Sequence, residues 1–493
     1  MPHPLVAVLP LIVLIGTLSV VISLFGSDSL SGGSQLSLLM AMAVCVSISM
    51  AVYGVPWRAF EQQMGRTIGS IAVTLLILLT VGMIGGSWMV SGTVPTIIYY
   101  GIQIMSPRFF LVTACVVCAI VSLLSGSSWT TIATLGVALI GIGRALGVDE
   151  AWTAGAIISG AYFGDKMSPL SDTTILASSA TGTDLFAHIR YMLYTTVPTF
   201  VLTLAIFAVA GIAGGGRAPI EVEAYTEGLA STFRISLWTL AVPILTGVMI
   251  ARRVPPVIVL FASSVLAGIA AVVLQPHLLR EVAGPEPMSA AAAMTRGLAI
   301  TYYGATHIAT GNAALDELVS TGGMAGMLDT VWLILCSMSF GSVMVASRMI
   351  ESITRVIIRV AHRCVSLVAS TVGTSLLLNL ATGDQYLSIV LAADMFRDAY
   401  SRQGFEPRLL SRTTEDAATV TSVLIPWNTC GMTQATVLGV PTLTYLPYCF
   451  FNLLSPVMTL LVAAMGWKIV KHPPLATQAH PDADGAVSLP TKP

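Results

Sequence analysis

The chain has 493 residues, 55% of them hydrophobic and only 10% charged, with a mean hydropathy of +0.84. A soluble domain carries about 25% charged residues, so this chain could not cover its own surface in water. Its formal net charge of −1 excludes the basic excess of a nucleic-acid binder, and its seven scattered Cys make no disulfide framework.

A spanning helix needs about 20 mostly apolar residues. Such runs lie near 4–25, 35–53, 68–90, 108–124, 190–213, 235–251, 254–274, 325–347, 365–381 and 443–467. The first has no basic region before it and is longer than a signal-peptide core, so it reads as a helix that stays. Weaker stretches, broken by Gly, Ser and Thr, fall at 126–143, 152–163, 384–396 and 417–440. With some of these as half-helices, the fold class is an all-α polytopic membrane protein of about 11 to 13 passes. Polar connections are expected at 54–67, 214–234, 275–297 and 397–416, none long enough for a second domain. Residues 1–471 therefore form one integral domain, and 472–493 a cytoplasmic flexible tail. Arg58 and Arg66, Arg252 and Arg253, Arg348 to Arg363, and Lys468 and Lys471 mark cytoplasmic loops. Segment 348–363 reads either as an interfacial helix or as a solvated linker helix.

Ionisable groups inside apolar segments are costly and mark pathways. One cluster follows the run 152–163: Asp165, Ser168, Pro169, Ser171, Asp172, Thr173 and Thr174. Its two carboxylates bracket a proline, which removes a backbone donor and disfavours helix before it. Hard oxygens with negative charge are what a small alkali cation needs to replace its water. The alternative is a loop with helix-capping Ser and Asp. Asn379, Thr382, Asp384, Gln385 and Tyr386 form a second cluster, joined downstream by Glu415, Asp416, Asn428 and Thr429. Ser125, Ser127 and Ser128 break an earlier span without any charge.

These pieces correspond. Gly126 and Gly383 each precede an aromatic by three residues, and Pro169 and Pro426 each precede two polar residues two and three positions on. The spacing from Gly to Pro is 43 in both (169 − 126 and 426 − 383). Interrupted helices at matching places in two halves, roughly 68–213 and 325–467, point to a repeat-built secondary transporter with a midplane site.

At these residues the sequence resembles the NhaC family of sodium/proton antiporters. The matching stretches are 160–174, 182–193 with Asp184, His188 and Arg190, and 383–390. They continue through 410–416, 425–431, 439–443 and 446–456. The resemblance implies alternating access in the cell (inner) membrane, with Na+ and H+ as cargo, Li+ as a further candidate ion and no cofactor. The family also includes malate/lactate antiporters and amino-acid carriers, so a small organic anion or amino acid is the rival cargo. Where the family pattern commonly has Asn after the Thr pair, this chain has Ile175, one polar ligand fewer. Both monomer and homodimer stay open. A rival of another class is an intramembrane aspartyl protease, because Gly164-Asp165 and Gly383-Asp384 are paired Gly-Asp dipeptides. The Ser- and Thr-rich surroundings argue against it.

The candidate ion-binding set is Asp165, Ser168, Ser171, Asp172, Thr173, Thr174, Ser127, Ser128, Thr382, Asp384, Gln385, Glu415, Asn428 and Thr429. Asp165 and Asp172 are the first choice for Na+. Lys166 is expected to pair with a nearby acid, and His188 to be a loop residue.

Overall fold

The interrupted spans owe their shape to four glycines, and the computed structural model shows how. It describes residues 1–25, 32–213, 220–311, 313–359 and 361–470. Lys471 and the tail expected at 472–493 lie outside the described residues.

The first third of the chain contains α1 (Pro4–Phe25), α2 (Gly33–Tyr53), α3 (Trp57–Ser70), α4 (Ala72–Val90) and α5 (Thr93–Ile104). Next come α6 (Phe110–Ser125), α7 (Ser128–Thr131), a π-helical turn at Ile132–Gly136, α8 (Val137–Ala145) and α9 (Glu150–Met167). Then follow α10 (Asp172–Thr181), α11 (Leu185–Ala213), α12 (Ile220–Thr232), α13 (Ala241–Ala251) and α14 (Pro256–Leu274). Short helices α15 (Pro276–Ala283), α16 (Ala290–Tyr303) and α17 (Ala313–Val319) lead to α18 (Leu328–Ala346) and α19 (Met349–Ile358). The last part has α20 (Cys364–Thr382), α21 (Gln385–Arg402), α22 (Pro407–Thr414), a second π-helical turn at Glu415–Thr419, and α23 (Thr429–Leu438). It closes with α24 (Thr442–Tyr445) and α25 (Phe450–Met465).

By length and composition, seven helices among the described residues can cross a membrane, nine if each of two bent pairs is one span. The shorter α6 is also apolar, and α7 to α10 and α21 to α23, around the interruptions, carry many of the remaining buried residues. The chain is a polytopic all-α membrane protein.

Its two interruptions share one construction. Helices α6 and α20 end at Gly126 (φ +69°) and Gly383 (φ +67°), left-handed positions that a side chain rarely adopts. Their amides donate to Ser122 O at 2.8 Å and Asn379 O at 3.2 Å. One extended residue follows each glycine and caps the next helix. Ser127 accepts from Thr130 N at 3.2 Å, and Asp384 accepts from Leu387 N at 2.9 Å. Later, Ser171 and Asn428 occupy the extended position before two ten-residue helices, α10 and α23. Both of these end at left-handed glycines, Gly182 and Gly439.

Each landmark recurs after 257 residues (383 − 126, 428 − 171, 439 − 182). A tertiary hydrogen bond recurs with it. Ser122 Oγ donates to Ala161 O at 2.6 Å, and Asn379 Nδ2 donates to Ala418 O at 2.7 Å, both partners displaced by 257 (379 − 122, 418 − 161). The fold therefore has two repeat-related halves.

Close approach fixes α6 against α9. A Cβ at Gly160 would stand 2.0 Å from Cys115 O, and one at Gly164 would stand 2.2 Å from Ala119 O. The short helices cross between halves: α10 packs on α21 and α22, and α23 packs on the first π-helical turn.

Two expectations need correction. Segment 397–416 is no loop: α21 continues to Arg402, and α22 leads helically into fully buried Arg412, Glu415 and Asp416. The charges of 406–416 suggested solvent, but Arg412 and Asp416 pair inside the bundle, and only Glu406 and Arg408 pair nearer the surface. His188 is likewise not in a loop. It is fully buried on α11 and shares a 2.6 Å hydrogen bond with Ser411.

Gly383→Ala should lower the thermal midpoint in detergent by several degrees, since its Cβ would stand 1.9 Å from Ser337 Oγ at a left-handed φ. Gly182→Ala, with nothing within 4 Å of its added Cβ, should lower it less. A fluorescent thermal-unfolding series compares the two.

Candidate functional site

Asp165 sits on the last turn of α9, buried, where the helix stops ahead of Pro169. Its carboxylate accepts from Ser128 N at 3.1 Å and Ser128 Oγ at 2.7 Å. Restarting the helix after Gly126 thus aims the first turn of α7 at this acid.

A cavity of about 230 Å3 is lined by Ser127, Thr130, Asp165, Ser171, Asp172, Thr173, Gln385 and Tyr386. Arg253 and the Val254-Pro255-Pro256 segment also line it. Asp172 is exposed at the start of α10, and no hydrogen-bond or ion-pair partner holds its carboxylate among the described residues. The cavity combines one buried acid, one open acid and several hydroxyls. Among the described residues no three His, Cys, Asp or Glu side chains gather as a metal-ligand set. Mixed hydroxyl and carboxylate oxygens suit an alkali cation better than a soft metal.

The other expected residues fall into two groups. Asp384, Asn428 and Thr429 form a corner of their own behind Gln385. Thr429 Oγ1 donates to Asp384 Oδ2 at 3.3 Å, Thr429 N to Gly383 O at 2.8 Å, and Asn428 Nδ2 to Asn379 O at 3.2 Å. Gln385 Oε1 accepts from Ser422 Oγ at 3.4 Å. Glu415 is tied to the first half, accepting from Thr173 Oγ1 at 3.1 Å, while its Oε2 is buried without a hydrogen bond.

Ser168, Thr174 and Thr382 do not line the cavity. Ser168 Oγ accepts from Leu170 N at 3.2 Å, Thr174 Oγ1 donates to Lys166 O at 3.0 Å, and Thr382 Oγ1 donates to Leu378 O at 2.9 Å. Their hydroxyls hold the broken backbone. Asp165 and Asp384, the two Gly-Asp acids, take their hydrogen bonds from different donors and make none to each other.

Beside the cavity lies an ion-pair cluster. Lys166, fully buried, bonds Asp416, which also accepts from Thr195 Oγ1 at 3.3 Å and Ser455 Oγ at 3.4 Å. Arg412, also fully buried, stands 3.9 Å from the other Asp416 oxygen and 4.6 Å above the Tyr191 ring. The sequence reading expected an acid for Lys166 but missed Arg412. The i, i+4 spacing of Arg412 and Asp416 was the available signal, obscured because the segment was read as a loop.

A second cavity, of about 1450 Å3, takes in Asp149, Glu150 and Trp152 at the start of α9. Sixteen residues along α9 separate Asp149 from Asp165 (165 − 149), about 24 Å at helical rise. The cavities thus approach from opposite ends of one helix.

Residues 160–467, which contain Asp165, Asp172 and Arg253 but not Ser127, Ser128 or Thr130, match the Na+/H+ antiporter family. The chain belongs to that family. It is 38% identical over 447 residues to the Na+/H+ antiporter NhaC of Alkalihalophilus pseudofirmus, covering 89% of this chain and 92% of the relative. It is also 34% identical to the malate-2H+/Na+-lactate antiporter of Bacillus subtilis, over 85% of this chain and 87% of the relative. The arginine/ornithine antiporter ArcD of Halobacterium salinarum is 34% identical, over 95% and 93% respectively. The family match begins at Gly160, so it takes in the broken end of α9 and both crossing half-helices.

Removing either partner of the buried pair should be costly, about 3–5 kcal/mol for an unpaired buried charge. Lys166→Met and Asp416→Leu should each strongly lower thermal stability in detergent. The double variant should recover only part of the loss, since Arg412 is then left buried without a carboxylate, and a double-mutant cycle measures the coupling.

Proposed function

We propose that this membrane protein exchanges Na+ for H+ by alternating access, with the exchange site at Asp165 and Asp172. The observation that carries the assignment is the cavity in which a buried acid, an open acid and the hydroxyls of Ser171 and Thr173 stand together. The nearest buried cation, Lys166, is committed to Asp416 and leaves these carboxylates free of a fixed counter-charge. A buried and an open carboxylate lining one cavity accept either protons or a cation, and neither state leaves the buried acid bare. Sodium and protons then compete for the same oxygens, so exchange requires no separate coupling device.

Glu415 supports this reading from the opposite half. Through Thr173 it touches α10, whose first residue is Asp172, so a change of charge at the cation site is felt across the interface between halves. Asp384, Asn428 and Thr429 have a supporting part: they cap α21 and α23 and hold Gln385 and Tyr386 at the cavity wall.

Purified protein in liposomes should collapse an imposed pH gradient when sodium is added, and lithium should substitute. If sodium is inert until an organic acid or amino acid is also supplied, a coupled carrier replaces the exchanger.

Asp165→Asn and Asp172→Asn should each abolish sodium-driven proton movement while leaving expression and insertion intact, since Asn keeps the volume and sheds the charge. Asp184→Asn should do less, because that side chain only caps α11 through Ala187 N at 2.9 Å. Exchange at wild-type rates in both of the first two variants would displace the site from this cavity.

A further inference from the structure

The cation cavity has a basic residue at its mouth that the exchange reaction does not itself require. Arg253 lines the same cavity as Asp165 and Asp172, and it is exposed. Its backbone is unusual. With φ at +59°, it is one of three non-glycine residues among those described that occupy the left-handed region. Glycine would fill that position without the penalty of about 1 kcal/mol that a side chain incurs.

The strained turn is built and held. Arg253 N donates to Ile250 O at 2.8 Å and Val254 N donates to Met249 O at 3.2 Å, closing α13. Pro255 and Pro256 then restrict the chain and start α14. The backbone that presents the guanidinium is therefore stiff, and the side chain is free. Among the described residues Arg253 has no carboxylate partner, whereas Arg144, Arg296, Arg348, Arg355 and Arg408 all do. Asp172, on the same cavity wall, has no partner either.

We propose that Arg253 is an affinity-setting residue of the exchange site, a tethered cation that competes with Na+ for Asp172. This rests on the assignment of the exchange site to this cavity. When the cavity holds no ion, the guanidinium folds inward and neutralises Asp172, the acid that lacks a partner. An arriving Na+ must displace it, and the guanidinium returns to solvent at the mouth. An Arg fork binds a carboxylate bidentately, yet it is too large to follow the ion past Asp172 to buried Asp165. By the positive-inside rule the Arg252-Arg253 turn faces the cytoplasm, so the competition acts on sodium entering or leaving on that side. Weaker retention there favours release of sodium over rebinding.

The test is sodium dependence of exchange in proteoliposomes, with sodium varied on the Arg253 side of uniformly oriented protein. Arg253→Gln should lower the half-saturating sodium concentration by about fivefold, the factor that a contact between unit charges supplies in water. Arg253→Lys should keep most of the wild-type value, because it keeps the charge. Arg252→Gln, in the same turn but not lining the cavity, should leave it unchanged. Binding of 22Na+ to detergent-solubilised protein, read without turnover, should show the same order. In Asp172→Asn, adding Arg253→Gln should have no effect on that binding. An unchanged half-saturation in Arg253→Gln, with wild-type protein exchanging normally, overturns the competition. A wild-type protein that does not exchange sodium overturns the site assignment instead. An equal fall in Arg252→Gln would reduce the effect to general surface charge and also overturn the proposal.

Discussion

An unpaired backbone amide or carbonyl cannot be left facing lipid, and this constraint governs how the broken helices are arranged. Stopping α6 at Gly126 and α20 at Gly383 frees polar groups at membrane depth. Each is then absorbed by protein. Thr429 N bonds Gly383 O, Trp427 Nε1 bonds Leu380 O, and Thr174 caps Lys166 O. These partners come from within each half, whereas α10 and α23 themselves cross to pack on the opposite one. The same breaks place Ser127, Ser128 and Ser171 beside the acids, so accommodating the interrupted backbone and building a cavity lined by acids and hydroxyls are one structural act.

The fully buried Lys166, Asp416 and Arg412 cluster follows from the same crossing. Lys166 comes from the end of α9 and Asp416 from the second π-helical turn, so their pair joins the two halves directly. π-Helical turns concentrate at functional sites because the extra residue widens the turn and re-aims side chains. Here consecutive acids point to different partners, Glu415 to Thr173 and Asp416 to Lys166. An α-helical ladder would space neighbours by a fixed rotation, and the altered turn leaves Glu415 Oε2 and Asp416 Oδ2 both buried without hydrogen bonds.

Much of this was legible beforehand, and for definite reasons. Gly126, Pro169, Gly383 and Pro426 punctuate apolar runs, and glycine and proline act through local backbone geometry that needs no tertiary information. Asp165 and Asp384 stood out because a carboxylate between apolar residues is costly wherever the chain folds. Arg412 and His188 were not legible in the same way. Arg412 sits among polar residues and His188 two positions before Arg190, and the burial of both depends on α11 packing against α22, which neither segment encodes alone. The hydroxyls of Ser168, Thr174 and Thr382 were overread for a related reason: a short polar side chain near a helix end can serve a ligand or its own backbone, and only geometry separates these uses.

The 257-residue correspondence carries a consequence for how such a site acquires polarity. Position by position, Asp165 answers to Ser422, Lys166 to Val423, Asp172 to Thr429 and Ser127 to Asp384. The backbone is duplicated, but the charges are not. A duplicated framework with duplicated acids would offer two equivalent wells, and an ion would gain nothing by preferring one. With the acids distributed unequally over a common frame, one copy brings both Asp165 and Asp172 to the cavity and the other lends it Gln385 and Tyr386. Symmetry in the scaffold and asymmetry in its chemistry amount to a division of labour between the two halves.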